Sequence, residues 1–494
     1  MSNSKKKRSK SVSGRITKRK SDSRRRLSDV TIDSTSQVDS LRKSKDDTEV
    51  VSLSDRAISP PSRLLSRTYF VDLSTDSRRD KFKLPSERQT EEDDQLDKSS
   101  EVETNAQRPE IEKWMQSFKE GQFPLTLKPV PPKSTSTDEV DKSIRAFEQD
   151  STKTANEYKF GNVDSFLEKF PPKQKPQIYI MEGAYPDPDP KKTPEIHGDA
   201  LAKKLPITVD RSLYRSGIDN PNHGITVGSL VHHTYPGASV SMFVSLGDPQ
   251  IDHPGFSTQS EKNQIKLSAD SVNLSFQKFF DKLIEEKVQN SVINLSQMVR
   301  PHEELSPETI DKLIKLASEN NVIVFAMGNQ GARSDDTPAY RQLHKVIQEI
   351  SKEDSKVTGS IVLVENLEST TTVGTAKLKS TSNYIADPKK KMTTLAVKGA
   401  SPEVLEKFSG QGHGTSYSAP KLSALISKLI TAASTATGKP VRGKDVVKAL
   451  VDTADEYTVE KTSESREGVG IVNGPDQFTV KVPNGNKALA QLIK

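Results

Sequence analysis

The sequence contains no cysteine, and only 5% of its 494 residues are aromatic. Without thiols the protein can form neither disulfides nor thiolate metal sites, and it cannot use a cysteine nucleophile. No run of 18 apolar residues is present, so no membrane-spanning helix is predicted. No apolar stretch follows the basic N-terminus, which argues against a conventional signal peptide. We therefore expect an intracellular protein or one exported by another route, and the compartment stays open.

The net positive charge of the chain, formally +6, comes from its first 26 residues. Residues 1–26 contain twelve lysines and arginines and one acidic residue, which leaves the rest of the chain with a net charge of −5. The basic segment is compatible with nuclear targeting, polyanion binding or simple solvation. Because the body of the chain is acidic, nucleic-acid binding by a folded domain is not expected.

Hydrophobic residues make up only 32% of the chain, and they are sparse in residues 1–105. A segment this polar cannot bury enough apolar surface to offset its ordering entropy, so we predict that residues 1–105 are disordered. Residues 106–174 contain an isolated amphipathic helix near 109–123, a proline-rich linker and a second helix near 138–160. We predict a helical linker region of unknown role there.

From residue 177 onward, short apolar runs alternate with helical patterns. The runs predicted as buried strands are 178–181, 238–244, 291–296, 321–328 and 360–366. The stretches with helical periodicity are 223–235, 268–289, 306–321 and the apolar run after Ser416. This alternation predicts an α/β fold with a mostly parallel sheet and helices on both faces.

Three polar motifs stand where such a sheet collects functional groups. They are HGITVGS around His223, FAMGNQG around Asn329 and GTSYSAP around Ser416. A serine hydroxyl becomes a good nucleophile when an imidazole takes its proton, and amide donors stabilise the resulting oxyanion. The glycines ahead of Ser416 are expected to permit a backbone turn that brings the serine to a helix start. Each motif alone is typical of a turn or helix cap, but the three together favour nucleophilic catalysis.

In this order the motifs resemble the histidine, oxyanion-asparagine and serine motifs of the subtilases, the subtilisin-like serine proteases. The resemblance extends to SVINLS, STSNYI and GVGIVNG. It implies a subtilisin-like catalytic domain over 175–480, followed by a C-terminal extension over 481–494. It also implies a serine endopeptidase that acts on protein or peptide substrates, whereas the oligomeric state stays open.

The resemblance assigns a role to each motif residue. Ser416 would be the nucleophile, and His223 the general base and then the general acid. Asn329 and the backbone amide of Ser416 would form the oxyanion hole. Ser296 and Gly328 would contact the substrate.

The sequence departs from the family pattern at two places. At the end of the first strand, where the family has an aspartate, this chain has Glu182, which we predict to orient the imidazole. The alternatives are that Asp187 substitutes for it or that no third member works. Gln297 and Met298 stand where glycines usually follow the Ser296 position, which predicts a narrower cleft or a different preference for the residue before the scissile bond. These departures motivate the alternative function, a catalytically impaired pseudoprotease that binds peptides.

No cofactor is predicted. His232 and His233 lack the spacing of a zinc site. Calcium ligation by Asp187 and Asp189 is an alternative, although the proline-rich run YPDPDP is more typical of a turn.

Overall fold

The computed structural model describes nine stretches of the chain. They are residues 107–122, 126–183, 199–212, 221–244, 261–299, 303–372, 374–408, 414–460 and 477–494. All of these stretches belong to one compact unit. The segment predicted to be disordered, the residues Asp187 and Asp189, and the GVGIVNG stretch lie outside the described residues.

Ten strands of the described residues form one sheet, five more than the sequence predicted. They are β1 Gln177–Glu182, β2 Ile207–Asp210, β3 Ser239–Val244, β4 Val292–Leu295, β5 Val322–Ala326, β6 Ser360–Thr370, β7 Thr375–Leu378, β8 Thr394–Lys398, β9 Asp455–Glu460 and β10 Gln477–Val482. The spatial order is β10-β9-β7-β6-β5-β4-β1-β3-β2, and β8 also pairs with β6. The strands from β2 to β6 run parallel, whereas β7 and β10 join antiparallel to β6 and β9. The predicted mostly parallel sheet is confirmed.

Twelve α-helices accompany the sheet in the described stretches. They are α1 over 107–119, α2 Glu139–Glu157, α3 Gly161–Lys169, α4 Asp199–Lys204, α5 Pro221–Thr234, α6 Glu261–Glu285, α7 Pro307–Ser318, α8 Pro338–Ser351, α9 Pro402–Phe408, α10 Ser418–Thr437, α11 Gly443–Asp452 and α12 Gly485–Leu492. Helix α6 begins seven residues earlier than the periodicity predicted. Helix α5 begins at Pro221, before His223, because proline fits the first turn of a helix, where its missing N–H would have no partner.

The strands contribute alternately to two hydrophobic cores, one on each face of the sheet. In β5, Val322 and Val324 join the first core, whereas Ile323 and Phe325 join the second. The first core contains apolar residues of α5 and α10, and the second contains those of α6, α7 and α8. Because successive strand side chains point to opposite faces, this division confirms that helices cover both faces of the sheet.

Helix α1 packs against the rest of the unit, so the prediction that it is isolated was wrong. Its Ile111 and Trp114 are buried in the first core. The Trp114 ring stacks on Phe118, with ring centroids 4.9 Å apart, and contacts Phe166 of α3 at 4.7 Å. The apolar stripe that made this helix recognisable in the sequence is therefore covered by α3.

Candidate active site

The residues predicted to be catalytic meet at the carboxyl edge of the parallel strands. Glu182 is the last residue of β1, and Asn329 follows the end of β5 by three residues. His223 lies in the first turn of α5, and Ser416 lies in a short 3-10 turn, Thr415–Tyr417, directly before α10. Strands β2 and β3 lie on one side of β1, and strands β4 to β6 lie on the other. The order in which the chain adds strands therefore reverses direction at β1. Such a switch point opens a crevice at the strand ends.

Glu182, His223 and Ser416 form a continuous chain of hydrogen bonds. Glu182 Oε2 lies 2.9 Å from His223 Nδ1, and His223 Nε2 lies 3.0 Å from Ser416 Oγ. An ionised carboxylate can only accept, so the proton of the neutral imidazole belongs on Nδ1. Nε2 is then left with its lone pair toward the serine hydroxyl, which is the arrangement a general base needs.

The glutamate fits where the family pattern has an aspartate. Glu182 is only 1% exposed, and its Oε1 has no hydrogen-bond partner among the described residues. A buried carboxylate with one unpaired oxygen is poorly stabilised by neutral surroundings. A positive charge on the neighbouring His223 would therefore be favourable for both groups.

Two opposing effects act on the histidine. Burial lowers the pKa of His223, whereas the charge of Glu182 and the hydrogen bond that its carboxylate accepts from the imidazole raise the pKa, and the net direction is upward. The carboxylate thus stabilises the imidazolium form more than burial disfavours it. The imidazolium is the form that appears when a histidine accepts a serine proton.

Asn329 is held by Thr415, the residue before Ser416. The Thr415 backbone N–H donates to Asn329 Oδ1 at 2.7 Å, and the Thr415 hydroxyl donates to the same oxygen at 3.1 Å. Because both donors occupy the amide oxygen, the Nδ2 end of Asn329 points the other way with its two hydrogens. This end is the one that can donate to an oxyanion.

Gly414 leaves open the space between Ser416 Oγ and Asn329 Nδ2. A Cβ added to Gly414 would lie 2.8 Å from Ser416 Oγ and 3.0 Å from Asn329 Nδ2. Its backbone is extended, with φ −107° and ψ 150°, a conformation that any residue adopts. Glycine is therefore required at this position for room, and not for the turn that the sequence suggested.

Gly328 turns the chain at the end of β5. Its φ of +93° lies in the region that favours glycine, and an added Cβ would lie 2.8 Å from Asn383 Nδ2 and 2.9 Å from Gln330 Oε1. The Gly328 N–H donates to the Thr415 hydroxyl at 2.9 Å. Gly328 thus joins β5 to the turn that carries Ser416, and its predicted substrate contact stays a prediction.

Asn383 is a site residue to which the sequence analysis assigned no role. It is fully buried, and its Oδ1 accepts from the N–H groups of Gln330 and Ala332, both at 3.0 Å. Its Nδ2 donates to the Met327 carbonyl at 2.8 Å. Asn383 therefore holds both sides of the loop that carries Asn329. The available signal was the resemblance of STSNYI to the family pattern, because a Ser/Thr/Asn run by itself is typical of a loop.

Ser296 contacts the turn that carries Ser416. Its hydroxyl is buried and donates to the Ser416 carbonyl at 3.0 Å. Asn294 Nδ2 donates to Ser296 Oγ at 2.9 Å, and Ser423 of α10 donates to Asn294 Oδ1 at 3.1 Å. Because the Ser296 side chain is engaged in this way, a substrate contact would fall to its main chain, and that contact stays a prediction. A polar Asn294 within an apolar strand was the signal for this network.

The remaining predicted features occupy ordinary positions. Gln297 and Met298 are half-buried after β4, and Met298 packs on the second core. Within the described stretches, no cluster of three or more His, Cys, Asp or Glu side chains is placed to hold a metal ion. No described helix combines the length and apolar character needed to cross a membrane.

Comparisons with known proteins extend this description. The family model described as the subtilase family matches residues 204–470. Among solved structures, the prenylagaramide maturation protease PagA shares 13% identity, with 67% of this chain and 98% of that chain covered and a TM-score of 0.41. The subtilase cytotoxin SubAB shares 14%, covering 67% and 93%, with a TM-score of 0.41. A lanthipeptide protease shares 13%, covering 73% and 99%, with a TM-score of 0.38. No curated protein sequence matches the chain significantly.

Proposed function

Because this chain belongs to the subtilase family, we propose that it is a serine endopeptidase that hydrolyses peptide bonds in protein or peptide substrates. The observation that carries the proposal is the hydrogen-bonded chain from Glu182 through His223 to Ser416, with contacts of 2.9 and 3.0 Å. In this proposal Ser416 is the nucleophile, His223 is the general base, and Glu182 is the carboxylate that orients the imidazole.

In the first step Ser416 Oγ attacks the scissile carbonyl carbon, and its proton moves to His223 Nε2. Glu182 stabilises the imidazolium that results and holds the ring in place. The imidazolium then gives this proton to the leaving amine, which departs as the acyl-enzyme forms. A water molecule, deprotonated by the same imidazole, hydrolyses the acyl-enzyme and restores the serine.

The oxyanion of each tetrahedral intermediate would occupy the space beside Gly414. There Asn329 Nδ2 and the backbone N–H of Ser416 are the proposed donors. One side-chain donor of this kind is worth roughly 10²–10³ in rate. None of these steps calls for a cofactor.

A fluorophosphonate probe tests the proposal, because it reacts covalently with an activated serine and ignores an ordinary one. We expect the purified full-length protein to be labelled and the Ser416→Ala variant not to be. Ser418→Ala removes a neighbouring buried serine and serves as the matched control, which should label like the wild type. Absence of labelling in the wild type, or labelling that persists in Ser416→Ala, would contradict the proposal. The first of these results is what the pseudoprotease alternative predicts.

A further inference from the structure

Two lysines are buried inside the helix that follows the nucleophile. Lys421 and Lys428 of α10 are 2% and 5% exposed. They are seven residues apart and therefore lie on one face of the helix. A buried ammonium group is strongly unfavourable unless a carboxylate and further hydrogen bonds compensate it. The partners of these lysines therefore decide how α10 can be held.

Both partners come from the chain that precedes the segment matched by the family model, which begins at residue 204. Asp150 of α2 lies 2.7 Å from Lys421 Nζ, and Asp164 of α3 lies 2.6 Å from Lys428 Nζ. The two aspartates are themselves buried, at 4% and 7% exposure. Each ion pair thus joins an N-terminal helix to α10 in the protein interior.

The Asp150–Lys421 pair also makes hydrogen bonds to a loop next to the active site. Asp150 Oδ1 accepts the Ser401 N–H at 3.0 Å, and Lys421 Nζ donates to the Gly399 carbonyl at 2.7 Å. These bonds hold the loop over residues 399–401, which packs directly against the turn that carries Ser416. A Cβ added to Gly399 would lie 3.4 Å from Tyr417 Cβ and 3.5 Å from the Gly414 carbonyl oxygen.

Helix α2 also contacts the helix that carries the histidine. The Ser151 hydroxyl donates to the His233 carbonyl in α5 at 2.6 Å, and the Phe147 ring stacks on the His233 ring with centroids 5.5 Å apart. A cavity of about 490 Å³ that reaches Gly414 and Tyr417 has α2 as one of its walls. One N-terminal helix therefore touches both helices next to the catalytic residues.

From these contacts we propose that α2 and α3 stay bound to α10 in the active protein and hold it in place, a role that we call the brace. We further propose that Asp150 is a positioning residue for Ser416. The proposal rests on the peptidase function proposed above. Withdrawal of the two helices would leave two buried ammonium groups without their carboxylates and would expose the apolar surface that Phe147 and Phe166 now cover. An inhibitory propeptide has to leave, whereas these helices stabilise the active form and remain in it.

Two matched double variants test the positioning role. Asp150→Leu with Lys421→Met, and Asp164→Leu with Lys428→Met, each replace a buried ion pair by apolar side chains, an exchange that buried pairs often tolerate. Only the first also removes the two hydrogen bonds to the 399–401 loop. We expect its kcat, per serine titrated with a fluorophosphonate, to fall roughly 10- to 100-fold, because small misplacements of a nucleophile have effects of this size. The second variant should keep the wild-type kcat per titrated serine, with both variants folded by circular dichroism. Equal kcat values in the two variants would overturn the positioning role.

Cleavage of the linker tests whether the brace is permanent without any change in the core. Residues 171–176 connect α3 to β1 and are mostly exposed, so a recognition site for an unrelated site-specific protease can replace them in the full chain. After cleavage we expect the two fragments to co-elute in gel filtration and the turnover per titrated serine to stay within about twofold. Release of the N-terminal fragment, with activity retained or increased, would overturn the brace. Co-elution is measurable even in an unreactive protein, so failure of the brace and failure of the peptidase proposal are distinguishable.

Discussion

The charge of Glu182 can be removed with little change in volume by Glu182→Gln. The Glu182–His223 contact of 2.9 Å places the charge centres of carboxylate and imidazolium about 4 Å apart, and an effective dielectric constant near 20 then gives about 4 kcal/mol of attraction. Because 1.36 kcal/mol corresponds to a factor of ten in rate, loss of this attraction lowers kcat by about 10³. The glutamine NH₂ group can also donate to Nδ1, which would move the imidazole proton to Nε2, and a wrong tautomer alone lowers kcat by about 10⁴ in related triads.

Steady-state hydrolysis of an unstructured protein substrate measures this effect, with kcat normalised to the circular-dichroism signal of folded protein. We expect Glu182→Gln to lose three to four powers of ten in kcat, about 10³–10⁴, with KM changed little. Glu182→Asp is the matched variant, because it keeps the charge and shortens the side chain by one methylene, so its loss should be smaller. A kcat of Glu182→Gln within tenfold of the wild type, alongside an inactive Ser416→Ala, would refute the role given to this carboxylate.

Three further predictions concern the same site. The base must be neutral to act, and the pKa of His223 is raised above its usual 6.5, so kcat/KM should fall as the pH drops through a value above 6.5. The inflection should move to lower pH in Glu182→Gln, and a pH–rate profile with an unchanged inflection would contradict the assigned electrostatics. Asn329→Ala should lower kcat by roughly 10²–10³ with little change in KM, and an equal rise in KM would instead indicate a role in binding. Gly414→Ala should lower kcat, because the added Cβ would lie 2.8 Å from Ser416 Oγ and 3.0 Å from Asn329 Nδ2, in the space proposed for the oxyanion; an unchanged kcat would contradict this reasoning.

The central strands were predictable from sequence because both of their faces are buried. In β4 and β5 every side chain is buried, so a short apolar run marks each strand, broken only by Asn294 in β4. The strands that the sequence did not predict are mostly at or near the edges of the sheet. For example, β2 has no fully buried residue, and β10 alternates exposed with buried positions over only six residues. Short, half-exposed strands resemble loops in composition, and the pairing that defines them is not local.

The site shows the same division between local and non-local information. Short sequence motifs surround His223, Asn329 and Ser416, so these residues could be predicted locally. The structure brings their side chains to one edge of the sheet. Asn383 and Asn294 also hold the site together, but through groups that they meet across the fold, backbone groups for Asn383 and serine hydroxyls for Asn294. Their partners are 53 and 129 residues away in the chain, at Gln330 and Ser423. A single sequence contains the donors and acceptors but not their pairing.

For Lys421 and Lys428, the need for a partner can be predicted from the sequence, but the identity of the partner cannot. Their burial follows from the apolar residues around them in α10, so the sequence implies that each needs a carboxylate. The seven-residue spacing further implies that both carboxylates lie along one face of the helix. Asp150 and Asp164 satisfy this requirement from the region 106–174, which was predicted to be helical and linker-like with no known role. Buried lysines at helical spacing thus indicate that a catalytic domain extends beyond its family motif, and the linker-cleavage experiment measures whether it does so here.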